Sequence, residues 1–171
     1  MRVFKFGGAS VKDAKGVKNL VSVLKTTGHD KTLVVVSAMG KTTNAIEVVI
    51  KNYFENKEKL QSSLHDVIKF HNEILLDLFA NERHQVFADV KAFFDELTMF
   101  FKSNKSPDYN YVYDQTIGFG ELISTTIISH YLNEVGLKNN WLDVREYIKT
   151  DNYYRRANVD WEQTQEQISS N

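Results

Sequence analysis

The sequence contains no cysteine and only one proline, Pro107. The absence of cysteine excludes disulfide frameworks, thiolate zinc sites and cysteine nucleophiles. No apolar run approaches the roughly 18 residues of a membrane span, and the first residues carry no apolar signal-peptide core. We therefore expect a cytoplasmic protein with no membrane partner. A net charge of -1 creates no bulk field for nucleic acid, so no nucleic-acid partner is expected.

The histidines are scattered through the chain without the spacing of metal ligands. We therefore expect no metal site built by the protein and place these side chains on solvated helix faces. They are His29, His65, His71, His84 and His130.

The chain is 171 residues long, enough for one domain with a real core but not comfortably for two. Val3–Phe6 is a short apolar run closed by two glycines, which predicts a strand. Apolar residues at helical spacing predict a helix over about Asp13 to Thr27, with Gly28 at its C-terminal cap. The apolar run Thr32–Val36 is typical of a strand covered on both faces. This βαβ unit predicts an α/β fold with a parallel sheet flanked by helices.

The middle of the chain, from Thr43 to about Phe101, has a helical pattern throughout, with a turn at Asn81–Arg83. We expect a helical excursion of two or more long helices, followed by a loop over Ser103–Asn110.

The last third predicts alternating elements. The alternation of Tyr109, Tyr111 and Tyr113 suggests an extended segment. We further expect a helix over Gly118–Asn133, a short strand over Asn140–Val144, and a last helix that Asp160 caps and that runs to Ile168.

The sequence does not match either of two common nucleotide-binding motifs. The dinucleotide fingerprint needs glycines two and five positions beyond its first glycine, where this chain has Ala9 and Lys12. A Walker A loop ending in Gly40-Lys41-Thr42 would need glycine at Val35.

Two small-residue loops remain, each directly after a strand. The first loop is Gly7–Ser10 and the second loop is Ser37–Gly40. Ligands of open parallel sheets bind beyond the carboxyl ends of the strands, and the helices that follow favour negative charge at their N-termini. Lys5, inside an otherwise apolar strand, either meets an anion at this edge or extends from an edge strand into water. The adjacent glycines favour the anion site.

Carboxylates and an arginine later in the chain are further candidates. Glu121 lies in the first turn of a predicted helix, where it either binds a ligand or interacts with the helix dipole. Asp143 and Arg145 follow the predicted short strand and form either part of a site or a local ion pair.

Several segments resemble motifs of one family, the aspartokinases, in order and spacing. Lys5–Val11 resembles the family's opening Lys-Phe-Gly-Gly-Thr-Ser-Val, with Ala9 in place of threonine. Val34–Asn44 resembles its second motif, which ends in Thr-Asn. Gly118–Ser124 resembles its Gly-Glu-Leu-x-Ser helix start, and Trp141–Arg145 with Thr150-Asp151 resembles its downstream strand and loop.

The resemblance implies a three-layer α/β/α amino-acid-kinase fold with a mainly parallel sheet. Residues 1–171 would form its N-terminal, amino-acid-binding lobe, with a helical insertion at about 43–101. We expect the nucleotide-binding half and the regulatory ACT domains to be absent from these residues, and the fragment to be inactive alone.

The resemblance also implies the chemistry, which is transfer of the γ-phosphoryl group of ATP, bound with Mg²⁺, to the side-chain carboxylate of L-aspartate. Lys5 would act in catalysis. The phosphate-binding residues would be Lys5, Phe6, Gly7, Gly8 and Ser10. The substrate-binding residues would be Ser37, Thr43, Glu121 and Arg145.

Two other interpretations stay open. The chain could be a binding or assembly module in which segment 43–101 mediates homo-oligomerisation. It could also act on glutamate, carbamate or a nucleotide monophosphate instead of aspartate.

Overall fold

The structure, a computed structural model, describes residues 1–170. Its elements are, in chain order, β1 (Arg2–Phe6), a 3-10 turn (Gly8–Val11), α1 (Ala14–Thr27), β2 (Thr32–Val36), α2 (Thr42–Glu55), α3 (Lys57–Leu78), α4 (Gln85–Ser103), α5 (Tyr109–Ile117), α6 (Phe119–Glu134), α7 (Val144–Tyr147) and α8 (Trp161–Ser170).

The predicted strand-helix-strand unit is confirmed. β1 and β2 are parallel neighbours, with Lys5 opposite Val35 and Phe6 opposite Val36. Asp13 caps the connecting helix α1 by accepting a hydrogen bond from the Gly16 N–H at 2.8 Å. Gly28 ends the helix with φ of 81°, a conformation that glycine adopts without strain. Because the strands are parallel, both end at the same edge, and the two loops leave the sheet side by side.

The two faces of this small sheet have different environments. Inward-facing side chains pack on the core, and these are Phe4, Phe6, Val34 and Val36. On the outer face Val3, Leu33 and Val35 are 59%, 41% and 43% exposed. The expectation that β2 is covered on both faces is therefore wrong for the described residues, since alternate side chains point to opposite faces and nothing within residues 1–170 covers the outer one.

The predicted helical segment is confirmed as three helices, α2, α3 and α4. A turn follows α3 at Glu82–Arg83, as predicted. These helices bury their apolar faces in one core, with α2 packed on α3, and α4 packed on α6. This arrangement places α3 behind the second loop and α6 beside it. In the part of the chain that the structure describes, no helix combines the length and apolar character of a membrane span.

Two predictions for the last third are wrong. The tyrosine-rich segment is helix α5, not extended, because Asp108 accepts hydrogen bonds from the backbone N–H groups of Asn110 and Tyr111 and starts a helix there. Residues 140–143 are irregular and α7 begins at Val144, so the short strand does not form. The Trp141 indole N–H donates instead to the Thr125 hydroxyl at 2.9 Å.

The other two predicted helices are confirmed as α6 and α8. At the start of α8, the Asp160 carboxylate accepts a hydrogen bond from the Gln163 N–H at 3.0 Å, as its predicted capping role requires.

Candidate active site at the carboxyl edge of the sheet

The two loops contact each other directly through their backbones. Ser37 N–H donates to the Phe6 carbonyl at 3.1 Å, and Gly40 N–H donates to the Gly8 carbonyl at 3.0 Å. A Cβ placed on Gly8 would lie 2.7 Å from the Ala38 oxygen, closer than real Cβ atoms come. Glycine is therefore required at this position by the second loop, which lies against it.

Lys5 lies at the mouth of the sheet with its charge unneutralised. Its side chain is on the outer face and exposed. The ammonium lies close to the first loop. Lys5 Nζ is 3.5 Å from the position that a Cβ on Gly7 would occupy. Among residues 1–170 the ammonium has neither an ion-pair nor a hydrogen-bond partner, and the neighbouring Gly7 N–H has no acceptor. A cation and a free amide side by side form a local environment that favours an anion.

The two loops lead into helices in different ways. Most of the first loop is itself the 3-10 turn Gly8–Val11, and the N-terminus of α1, which follows, is already capped by Asp13. The second loop leads through Lys41 directly into α2, whose N-terminus has no side-chain cap. The expectation that both loops feed helix N-termini open to an anion is therefore wrong for the first loop. At the second loop the first turn of α2, which includes Thr43, has amides that can bind a carboxylate.

α6 forms a third wall beside the second loop. The Glu121 carboxylate accepts a hydrogen bond from the Ala38 N–H at 3.2 Å, a contact between residues 83 positions apart. Ser124 donates its hydroxyl to the Ser37 carbonyl at 3.0 Å. A Cβ placed on Gly120 would lie 2.9 Å from Ala38 Cβ, so α6 approaches the loop as closely as glycine permits. Glu121 thus contacts the second loop and does more than interact with the dipole of its own helix.

The remaining predicted site residues fall into two groups. Phe6 is half-buried on the inward face, and its carbonyl is occupied by Ser37. Ser10 is exposed on the first loop, with its N–H bonded to the Gly7 carbonyl at 2.9 Å. Ser37 is half-buried at the start of the second loop, and Thr43 is half-buried in the first turn of α2. Phe6 and Ser37 therefore contact each other directly, and Ser10 and Thr43 lie within a few residues of that contact along the chain.

Arg145 lies apart from this group in its contacts. Its guanidinium makes two-point hydrogen bonds to Asp143, with Nε 2.9 Å from Oδ1 and Nη2 2.6 Å from Oδ2. These hydrogen bonds lower the pKa of the Asp143 carboxyl and raise the pKa of Arg145. The local ion pair considered above is therefore present, and a substrate-binding role for Arg145 stays a prediction that no observed contact supports.

Sequence reasoning missed three residues that support the second loop. Ser124 belongs to the Gly118–Ser124 motif, but the sequence assigned it no function. Thr42 donates its hydroxyl to the Met39 carbonyl at 2.6 Å. His71, predicted on a solvated helix face, is completely buried behind the loop. The apolar residues around it at helical spacing indicated an inward position, because His71 lies one turn after Val67 and one turn before Leu75.

Within residues 1–170, no three histidine or acidic side chains are grouped so that they could hold a metal ion. The groups at the first loop, an ammonium and backbone N–H groups, fit phosphate oxygens. Mg²⁺ commonly binds proteins through substrate phosphates with few protein carboxylates, so these residues fit the phosphate groups of a magnesium nucleotide and not the metal itself.

Comparison with known proteins shows one family over the whole sequence. The family model described as the amino acid kinase family matches residues 1–171. Aspartokinase 1, chloroplastic, of Arabidopsis thaliana is 31% identical over 167 residues, which cover 88% of this chain and 27% of that protein. Bifunctional aspartokinase/homoserine dehydrogenase 2 of Escherichia coli is 28% identical, over 88% of this chain and 18% of that protein. The chain thus spans less than a third of these relatives.

Solved structures show the same fold. Aspartokinase III of E. coli, in complex with lysine and aspartate, superposes with a TM-score of 0.86 at 22% identity. The same enzyme in complex with aspartate and ADP gives a TM-score of 0.85 at 23% identity. Each match covers 99% of this chain and 37% of the solved chain. The predicted α/β fold of the amino-acid-kinase type is confirmed.

Proposed function

Because the chain belongs to the amino acid kinase family, we propose that it forms the amino-acid-binding side of an aspartokinase. Such an enzyme transfers the γ-phosphoryl group of ATP to the side-chain carboxylate of L-aspartate. The observation that carries the proposal is the meeting of three groups at one edge of the sheet. These are the unneutralised Lys5 ammonium, the second loop, and the Glu121 carboxylate that contacts this loop. The aspartokinases among the relatives support the choice of substrate.

The chemistry of aspartate fits these groups. Its side-chain carboxylate is already ionised at neutral pH, so no general base is needed. The difficulty is the approach of this anion to the negatively charged phosphates. Lys5, with the backbone N–H groups of Gly7 and Gly8, offsets the charge on the transferred phosphoryl group. Ser10 supplies a further hydroxyl there, and the Phe6 backbone fixes the first loop against the second.

The substrate itself carries two carboxylates and one ammonium group. Ser37, at the start of the second loop, and Thr43, in the first turn of α2, would bind the carboxylates with hydroxyls or with the amides at the start of α2. Glu121 uses one oxygen for the Ala38 N–H, and its other oxygen would accept a hydrogen bond from the α-ammonium group. Such a charge-assisted hydrogen bond is stronger than a neutral one. Only the α-ammonium group of aspartate requires a carboxylate in the site.

Calorimetric titration of the 171-residue chain with L-aspartate and with L-glutamate tests the substrate. We expect binding of aspartate and at least tenfold weaker binding of glutamate, since the extra methylene moves one carboxylate away from its donors. Binding of glutamate without binding of aspartate would contradict the proposal and favour another carboxylate substrate.

The phosphate side is tested by substitution. Lys5→Met should abolish binding of inorganic tripolyphosphate, measured by NMR chemical-shift changes, and leave aspartate binding within about twofold. Lys15→Met, at an exposed position on α1, is the matched control and should change neither. Equal effects of the two substitutions would show that Lys5 is not part of the phosphate site.

Three wider expectations from the sequence remain predictions. They are that the 171-residue chain is inactive as a kinase by itself, that it forms homo-oligomers, and that it is cytoplasmic. A turnover of about 1–100 per second, typical of kinases, in the purified chain would contradict the first.

A further inference from the structure

One buried histidine lies directly behind the second loop. His71, on α3, is completely buried. Its ring packs against Phe70 and Phe94, with centroid distances of 5.0 and 5.6 Å. An imidazole in such an apolar site costs free energy unless its nitrogens are hydrogen-bonded. A phenylalanine or leucine would fill the space without that cost.

The surroundings fix which ring nitrogen carries the proton. His71 Nδ1 lies 2.8 Å from the Val67 carbonyl, one turn earlier in α3. A carbonyl oxygen can only accept, so the proton of the neutral ring is on Nδ1. Nε2 is then an acceptor, and it faces the Thr42 hydroxyl at 3.3 Å.

Thr42 connects this imidazole to the second loop. Its hydroxyl donates to the Met39 carbonyl at 2.6 Å, and its oxygen lies 3.3 Å from His71 Nε2, which shares the same proton as a second, more distant acceptor. The Thr42 N–H also donates to the Met39 carbonyl, at 3.0 Å. The Thr42 methyl group faces α6, 3.4 Å from a Cβ placed on Gly120. Thr42 therefore lies between α3, the second loop and α6.

We propose that His71 is a positioning residue, which through the Thr42 hydroxyl holds the second loop in the shape that binds the substrate carboxylate. This inference rests on the proposed function. The imidazole gives the Thr42 hydroxyl a second acceptor, which favours the rotamer that also reaches Met39. Thr42 itself holds the turn that begins at Met39 through its hydroxyl and its N–H. Gly40 lies inside this turn and donates to the Gly8 carbonyl, so the contact between the two loops depends on the same turn. The polar partners of His71 are thus the Val67 carbonyl of its own helix and the Thr42 hydroxyl at the start of α2.

Three substitutions and one control test the connection. His71→Phe keeps a planar aromatic ring, somewhat larger than imidazole, but removes both nitrogens, and we expect aspartate to bind five- to tenfold more weakly. His71→Gln places an amide near the former Nε2 and should restore affinity to within twofold of the original chain. Thr42→Val removes the hydroxyl at constant volume and should weaken aspartate as His71→Phe does. The control Ser63→Ala removes a buried hydroxyl of α3, which bonds only to the Leu60 carbonyl of its own helix, and should leave affinity unchanged.

The double variant separates positioning from general packing. If His71 acts through Thr42, the combination of His71→Phe and Thr42→Val should weaken aspartate no more than either change alone. The proposal would be overturned if the loss of affinity in the double variant were the product of the two single losses. Equal losses of affinity in His71→Phe and Ser63→Ala would also overturn it. ¹⁵N NMR of the imidazole should show the proton on Nδ1, and a neutral ring with its proton on Nε2 would also overturn it.

A second measurement needs no ligand. Amide hydrogen exchange at Gly40 should be at least tenfold faster in His71→Phe and Thr42→Val than in Ser63→Ala, because the turn is released. If the unmodified chain does not bind aspartate, the proposed function fails, and Gly40 exchange alone decides whether His71 holds the loop. If His71→Phe does not fold, Thr42→Val and His71→Gln decide it in the same way, and unchanged exchange in Thr42→Val would refute it.

Discussion

Acidification from pH 7 to pH 5 should destabilise the protein through His71. Burial lowers the pKa of His71 from 6.5 to about 4, against a smaller raising effect of its hydrogen bond to the Val67 carbonyl. Between these two values the unfolded chain binds a proton at His71 and the folded chain does not. The free energy of unfolding therefore falls as the pH falls from 6.5 toward 4.

The size of the effect follows from the two pKa values. Linkage gives a loss of about 2 kcal/mol between pH 7 and pH 5, and about 3 kcal/mol once the pH is below 4. Asp143 does not interfere at pH 5. Its hydrogen bonds to Arg145 lower the pKa of its carboxyl below 3.8, so the stability that it contributes is lost only at lower pH.

Urea unfolding at pH 7, 6 and 5, followed by circular dichroism, measures the loss. The matched variant is His71→Phe, which has no ionisable group at this position. We expect the original chain to lose about 2 kcal/mol more than the variant between pH 7 and pH 5. Equal losses in the two proteins, or an NMR-titrated pKa of His71 near 6.5, would refute the reasoning.

Other changes have equally definite expected outcomes. Gly8→Ala should lower the melting temperature and abolish aspartate binding, because its Cβ would lie 2.7 Å from the Ala38 oxygen. Gly118→Ala, where a Cβ meets nothing within 4 Å, should be tolerated, and the same loss in both would contradict this explanation. Glu121→Gln should weaken aspartate at least tenfold in calorimetry, and unchanged affinity would argue against ammonium binding. Asp108→Ala should cost about 1 kcal/mol in urea unfolding by removing the cap of α5, and an undiminished free energy would show that the cap is dispensable.

The sequence alone predicts the elements whose signals are local. Strand β1, helix α1 and strand β2 follow from short apolar runs, a helical apolar face, and glycines at the ends. Both loops and Lys5 could be placed at one edge because parallel strands end together. The paired glycines after β1 indicated an anion site for the same local reason.

Other local patterns misled, because they match more than one structure. Alternating tyrosines suit an extended segment, yet Tyr109 and Tyr113 are also one helical turn apart, and both rings stack near the Arg155 guanidinium. Trp141 has the apolar character of a strand residue. A strand needs a neighbour to bond, however, and the indole N–H bonds to α6. The local Asp108 cap decided the first case, and the contact with α6 decided the second.

What the sequence determined about this protein is therefore the order of its local elements and the kinds of chemical group at the loop edge. Only the tertiary structure decided which of those groups meet. Glu121 reaches the Ala38 N–H across 83 positions, while Arg145 is held by its near neighbour Asp143. In the sequence, His71 is only a polar residue within a predicted helix. The packing of α3 behind the second loop buries His71 and places it where it can support that loop. The physical reason is that the spacing of residues along the chain specifies structure only over one or two turns. A site depends on the distances between segments, and only packing fixes those distances.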